Sequence, residues 1–222
     1  MKIKSKDKES ILILSIALTI SIILNIFSMS KVYKYKYSIA EESYSHIEEI
    51  RHRNEGAMEI LNNSLENGSI RNEEILKLYK YYYVIAYNMI ELWQQYADYA
   101  NNSLLVFAKS LESKNIIEND IYEKIKEYMS SMLNKEMKNE QNKLILEGKD
   151  LECFEVMADM SSKLYDYFNL CSDNKFKKYS DNKLKKYYWI DMLDEINKIS
   201  NYYVNMEWNI DVDNQLTADF EN

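Results

Sequence analysis

Ile11 to Phe27 reads ILILSIALTISIILNIF, seventeen residues without a charge, a glycine or a proline. Its polar members, Ser15, Thr19, Ser21 and Asn25, are small or isolated. Ser28 and Met29 extend the run to about 19 uncharged residues, which as a helix rising ~1.5 Å per residue spans the hydrocarbon of a bilayer. A short head carrying Lys2, Lys4, Lys6 and Lys8 precedes it. Such a start suits a cleaved signal peptide or a retained signal anchor, and the length favours the anchor, because signal cores run about 7–15 residues. Ser28-Met29-Ser30 is a weak cleavage site, and Ser38-Ile39-Ala40 lies too far downstream. Cleavage would give a secreted protein, and a third reading buries the run in a soluble core. Lys31, Lys34 and Lys36 follow the span, so the lysine bias is four to three for an inside N-terminus. The expected localisation is the plasma membrane, single-pass, with the N-terminus cytoplasmic and the body extracytoplasmic.

The rest of the chain has to be built almost without turn residues. It has no proline and only Gly56, Gly68 and Gly148. Many-stranded folds need such punctuation, so long helices are expected, and no glycine-rich phosphate loop can form. The head holds four of the 28 basic residues and two of the 36 acidic ones, Asp7 and Glu9, which leaves 24 against 34, or −10, for the remainder. A net acidic body excludes general nucleic-acid binding and argues against lying flat on anionic lipid. The chain is rich in Lys, Asn, Ile and Tyr, as AT-rich coding dictates, so its 20 tyrosines are not by themselves a binding surface. Cys153 and Cys171, if on one helix, stand about 27 Å apart, too far for a disulfide, and read as small buried apolar residues.

Five helices are predicted. The first continues from the span through Ile39–Leu65 and ends at Asn67-Gly68, with Gly68 as a left-handed cap. The second starts near Ser69 or Asn72 and ends near Ser113-Lys114-Asn115. It bears two apolar stripes, one through Ile75, Leu78, Tyr82, Ile85, Met89 and Leu92, the other through Tyr79, Tyr83, Ala86, Ile90 and Trp93, which makes it the expected central helix. The third opens at Asn119-Asp120, includes Leu144 and Ile145, and is ended by Gly148. The fourth follows Asp150 and carries Cys153, Met157, Met160, Leu164, Tyr167 and Cys171 at the 4-3 spacing of a coiled-coil packing seam. The fifth carries Leu184, Tyr188, Met192, Ile196, Ile199 and Tyr203. The predicted fold is therefore all-α, an N-terminal transmembrane helix continuing into a four- to five-helix bundle. Its parts are a basic head (1–10), a signal anchor (11–29), a bundle domain (30–208) and an acidic, loosely ordered tail (209–222).

One tandem repeat is explicit: SDNKFKKY at Ser172–Tyr179 is followed at once by SDNKLKKY at Ser180–Tyr187. It gathers Lys175, Lys177, Lys178, Lys183, Lys185 and Lys186 in an otherwise acidic body. Its functional reading is a docking patch for an anionic partner, whether wall polymer, lipid headgroup or acidic protein face. The plainer reading is a solvated helix junction made lysine-rich by duplication, with Ser180 or Asp181 capping the fifth helix.

Other motifs lack essential parts. Glu49-x-x-His52 matches half of a di-iron ligand pair, but His46, the only other histidine, has Ser43 three residues before it, so the pair reads as a solvated helix face. The stretch from Asp211 lacks the sixth-position glycine of a calcium loop, which is Leu216 here. Tyr79, Tyr81, Tyr82, Tyr83 and Tyr87 could stack on a sugar, although core and boundary packing is the commoner use of such spacing. No catalytic residues, metal ligands or cofactor are assigned and no enzyme is expected. The expected role is a non-enzymatic interaction or scaffold protein at the cell envelope, with lipid bilayer bound through 11–29 and a protein partner through helix faces. The alternative is a ligand-sensing extracytoplasmic domain working with a partner subunit. Nothing in the residues fixes an oligomeric state.

Overall fold

With no proline to break it, α1 runs unbroken from Ser5 to Glu66, 62 residues or about 93 Å of helix. The structure, a computed structural model, describes residues 5–101, 121–139, 142–174 and 182–210. α1 stops where the sequence places its stop. Gly68 takes φ +60°, and the amides of Asn67 and Gly68 bond back to the carbonyls of Asn63 and Leu65. A short strand, β1 (Ser69–Arg71), leads into α2 (Asn72–Asn101). Glu74 in the first turn of α2 accepts from the Arg71 amide at 3.1 Å and the Arg71 guanidinium at 2.7 Å, closing the helix entry.

α2 returns antiparallel to α1, as paired levels along the two helices show: Gly56 with Tyr81, His46 with Asn88, Ser43 with Gln95, Lys36 with Tyr99. Gly56 serves this approach, since a Cβ there would stand 2.9 Å from the Tyr81 ring. α3 (Ile121–Asn139) lies against α2. α4 (Gly148–Asn174) packs against α1, and α5 (Asn182–Asn201) against both α1 and α4. Asn54 of α1 meets Ser161 in mid-α4, and Cys171 near the end of α4 meets Tyr188 near the start of α5. α4 therefore runs antiparallel to α1, and α5 runs parallel to it. The body has two ends. At the stem end α1 enters, α2 and α4 finish, and α5 begins. At the sheet end α1 turns into α2, and α4 begins.

Three expectations need correction. Leu144 and Ile145 do not belong to the third helix, and Gly148 does not end it. α3 stops at Asn139, and β2 (Lys143–Ile145) pairs antiparallel with β1, Ile70 opposite Leu144. Ile70 is wholly buried, and Leu144 packs against the core while its two neighbours point outward. A helical course would take Leu144 away from β1 and leave the β1 backbone unpaired. Gly148, with φ +56°, turns the chain into α4 instead. Nor is α2 the central helix: α1 touches α2, α4 and α5, whereas Tyr83 and Ile90 on the second stripe of α2 stay exposed. The tail is not wholly loose from 209, because Ile210, like Trp208 before it, packs on the core.

The core otherwise follows the stripes. Cys153, Met157, Met160, Leu164 and Cys171 of α4 are buried, and both cysteines are free. α5 adds Trp189 and Leu193, both wholly buried, beside the expected stripe. The expected end of the second helix at 113–115, the expected opening of the third at Asn119-Asp120, the caps Ser180 and Asp181, and the tail from 211 lie outside the described residues.

Candidate functional site

α1 is the one helix among the described residues with a stretch long and apolar enough to cross a membrane, and none of that stretch is buried in the protein. The reading as a soluble core helix is thereby removed. Its twelve large apolar side chains, from Ile11 to Phe27, are 50–74% exposed. They present on the order of 1,000 Å² of apolar surface, more than the few hundred Å² that soluble monomers expose in one patch. The polar members turn inward. Thr19 Oγ1 donates to the Ser15 carbonyl at 2.9 Å, and Asn25 Nδ2 to the Ser21 carbonyl at 3.0 Å. Each satisfies its donor on its own helix, which is what a side chain without water requires.

Beyond the stem comes a belt of tyrosine and lysine. Tyr33, Tyr35 and Tyr37 are 43–49% exposed. Residues two apart lie about 200° apart round a helix, so Tyr35 faces away from Tyr33 and Tyr37 and the rings encircle the rod. Lys31 lies over the Phe27 ring at 4.9 Å. Lys36 is only 5% exposed, its ammonium 4.8 Å from the Tyr99 ring centroid. It is the first side chain that the body covers, about 10 Å along the helix beyond Met29.

The lysine repeat falls at this same end. Tyr99, under Lys36, stacks edge-on against Trp189 of α5 at 6.0 Å. Tyr188 donates to Cys171 Sγ at 3.3 Å, tying the end of α4 to the start of α5. Lys183, Lys185 and Lys186 belong to the first turns of α5, between Asn182 and Trp189, and so to the stem end. Lys175, Lys177 and Lys178 lie outside the described residues. The duplication is legible in the sequence, but its place beside the start of the body is not, because only tertiary pairing brings Trp189 to Lys36.

A polar seam runs between α1 and its neighbours. Ser43 donates to Gln95 Oε1 at 2.5 Å. His46 Nδ1 stands 2.6 Å from Asn88 Oδ1, and Asn88 Nδ2 donates to the Val84 carbonyl at 2.7 Å. That second bond fixes the amide with its oxygen toward His46, so His46 donates from Nδ1. Its Nε2 is buried with no hydrogen-bond partner among the described residues. Asn54 Nδ2 donates to the Ser161 carbonyl at 2.8 Å, and the Tyr82 hydroxyl is 3.2 Å from Ser161 Oγ. Burial holds the Tyr82 phenol well above its ordinary range. No sequence motif announced these pairs, since each joins residues far apart in the chain.

The remaining candidates separate. Glu49 pairs with Arg53 at 2.6 Å rather than with exposed His52, so the Glu-x-x-His half-motif faces water. Tyr82 is core and Tyr79 and Tyr81 half-buried, but Tyr83 and Tyr87 are exposed. Among the described residues no three His, Cys, Asp or Glu side chains gather as metal ligands. On the outside of α4, Asp159 accepts from Lys163 at 2.8 Å and from the Tyr203 hydroxyl at 2.5 Å, pinning the turn after α5. Lys163 first and Tyr203 second hold that carboxyl below the usual carboxylate range. Tyr128 donates to Asp150 at 3.0 Å beneath the Trp208 ring, and burial raises both its phenol and the Cys153 thiol.

Comparison with family models, with curated proteins and with solved structures finds no match for the chain.

Proposed function

We propose that this chain is a single-pass membrane protein whose apolar stem anchors a helical bundle at the cell envelope, where it serves a non-enzymatic interaction or scaffold role. The observation that carries the reading is the uncovered apolar length of α1, continuous with the body. Three further features support it: the inward-bonded Thr19 and Asn25, the tyrosine belt at 33–37, and the distance of about 10 Å between Met29 and the first covered residue, which matches a headgroup layer. The body is proposed to stand outside the plasma membrane with the N-terminus in the cytoplasm, on the lysine bias across the stem.

Alkaline extraction of membranes, followed by protease treatment of intact cells and N-terminal sequencing of the product, tests each part. The expected product resists extraction, keeps residues 11–29, and loses its body to external protease. Full-length protein recovered in buffer without detergent would overturn the anchor. A mature chain starting after Met29 would make the protein a secreted one, and a protected body would reverse the orientation.

A further inference from the structure

We infer that the stem end of the body is a docking face for anionic phospholipid headgroups, formed by Lys183, Lys185 and Lys186 on the first turns of α5 with Lys31 and Lys34 on α1. The inference rests on the anchor reading and adds to it a preference for lipid charge. The argument is one of level. Lys36, Tyr99 and Trp189 define a plane about 10 Å beyond the apolar stretch. α5 runs from this plane toward the sheet end, as contacts of Ser200 with Tyr122 and of Tyr203 with Asp159 and Lys163 show. The backbone at Lys183–Lys186 therefore projects about 5–9 Å back toward the apolar stretch, to the depth of a headgroup layer. Lys31 and Lys34 occupy that depth on α1.

The acidic residues nearest this end lie on the other side of the plane. Glu41 and Glu42 follow Lys36 by more than a turn, Asp98 precedes Tyr99 on a helix running toward the stem, and Asp191 follows Trp189. A net acidic body thus presents a basic end to the bilayer. Lysines near an anionic surface are attracted to it, and the attraction decays within a Debye length of about 8–10 Å, so these lysines feel it more than the carboxylates behind them.

The test is hydrogen exchange of the full-length protein reconstituted into phosphatidylcholine vesicles with or without phosphatidylglycerol. Amides of residues 182–188 are expected to exchange about fivefold or more slowly with the anionic lipid, to lose that protection in high salt, and to lose it in the K183Q/K185Q/K186Q variant. Amides at the sheet end serve as the internal control and are expected to be unchanged. Equal exchange of 182–188 in the two lipids, with protein floating with both kinds of vesicle, overturns the headgroup face and leaves the anchor standing. Protein that floats with neither overturns the anchor. Slowing by soluble polyglutamate in neutral vesicles, without slowing by phosphatidylglycerol, assigns the lysines to an acidic polymer and overturns the lipid proposal. Should the triple variant fail to fold, the comparison of lipids and salts on the unaltered chain decides alone.

Discussion

His46 and Asn88 meet across the α1–α2 contact as a donor and an acceptor that have left water together. A pair of this kind contributes little net stability while intact, but removing one partner exposes the desolvation cost of the other. Asn88→Ala is therefore expected to lower unfolding stability by about 1–3 kcal/mol, read from the urea midpoint in detergent. Asp159 gives a prediction of opposite kind. Its folded pKa is depressed by Lys163 and Tyr203, so its contribution is present above the unfolded value and is lost as pH falls through the folded one, below about pH 4. The carboxylate is 55% exposed, so the increment is small. Asp159→Asn is expected to reduce the steepness of acid destabilisation below about pH 4 while barely moving the midpoint at pH 7, in paired urea titrations across pH. Tyr203 raises the same point: it sits on the predicted stripe, but its bond to α4 comes from a turn that no periodicity describes.

At the scale of elements, legibility follows length. α1, α2, α4 and α5 each repeat their apolar positions over many turns, and Gly68 ends α1 because only a residue tolerant of positive φ closes that turn cheaply. The β1–β2 ladder is three residues against three, too short for any period to register, and its partners come from distant parts of the chain. Its anchor is Ile70, wholly buried beneath the sheet end. Ile70→Ala is expected to cost about 2–5 kcal/mol, measured by chemical unfolding. The second stripe of α2 misled for a different reason. Apolar spacing reports a face that can be buried, and Leu76, Tyr83, Tyr87 and Ile90 lie on the outside of this molecule. A tyrosine-rich composition places aromatic rings on outer faces as well as inner ones.

The whole molecule divides cleanly into a part that touches itself and a part that does not. Burial on α1 begins with Lys36, so residues 1–29 contribute no core contact. A chain beginning at Ser30 is expected to be recovered without detergent and to unfold within about 0.5 kcal/mol of the full-length protein, both titrated in the same detergent. Loss of folding on truncation would mean that the apolar stretch stabilises the body. The sequence gave notice of the stem and of the six lysines separately, but not of their common end. That placement depends on helices alternating in direction, which becomes visible only once Tyr99 is seen between Lys36 and Trp189.

The uninterrupted course of α1 has a mechanical consequence. A rod without a swivel transmits torque, so whatever grips residues 11–29 also sets the compass bearing of α2 to α5. One residue inserted between Met29 and Lys36 would swing the body through about 100° and raise it by about 1.5 Å, re-aiming each outward surface while leaving its interior untouched.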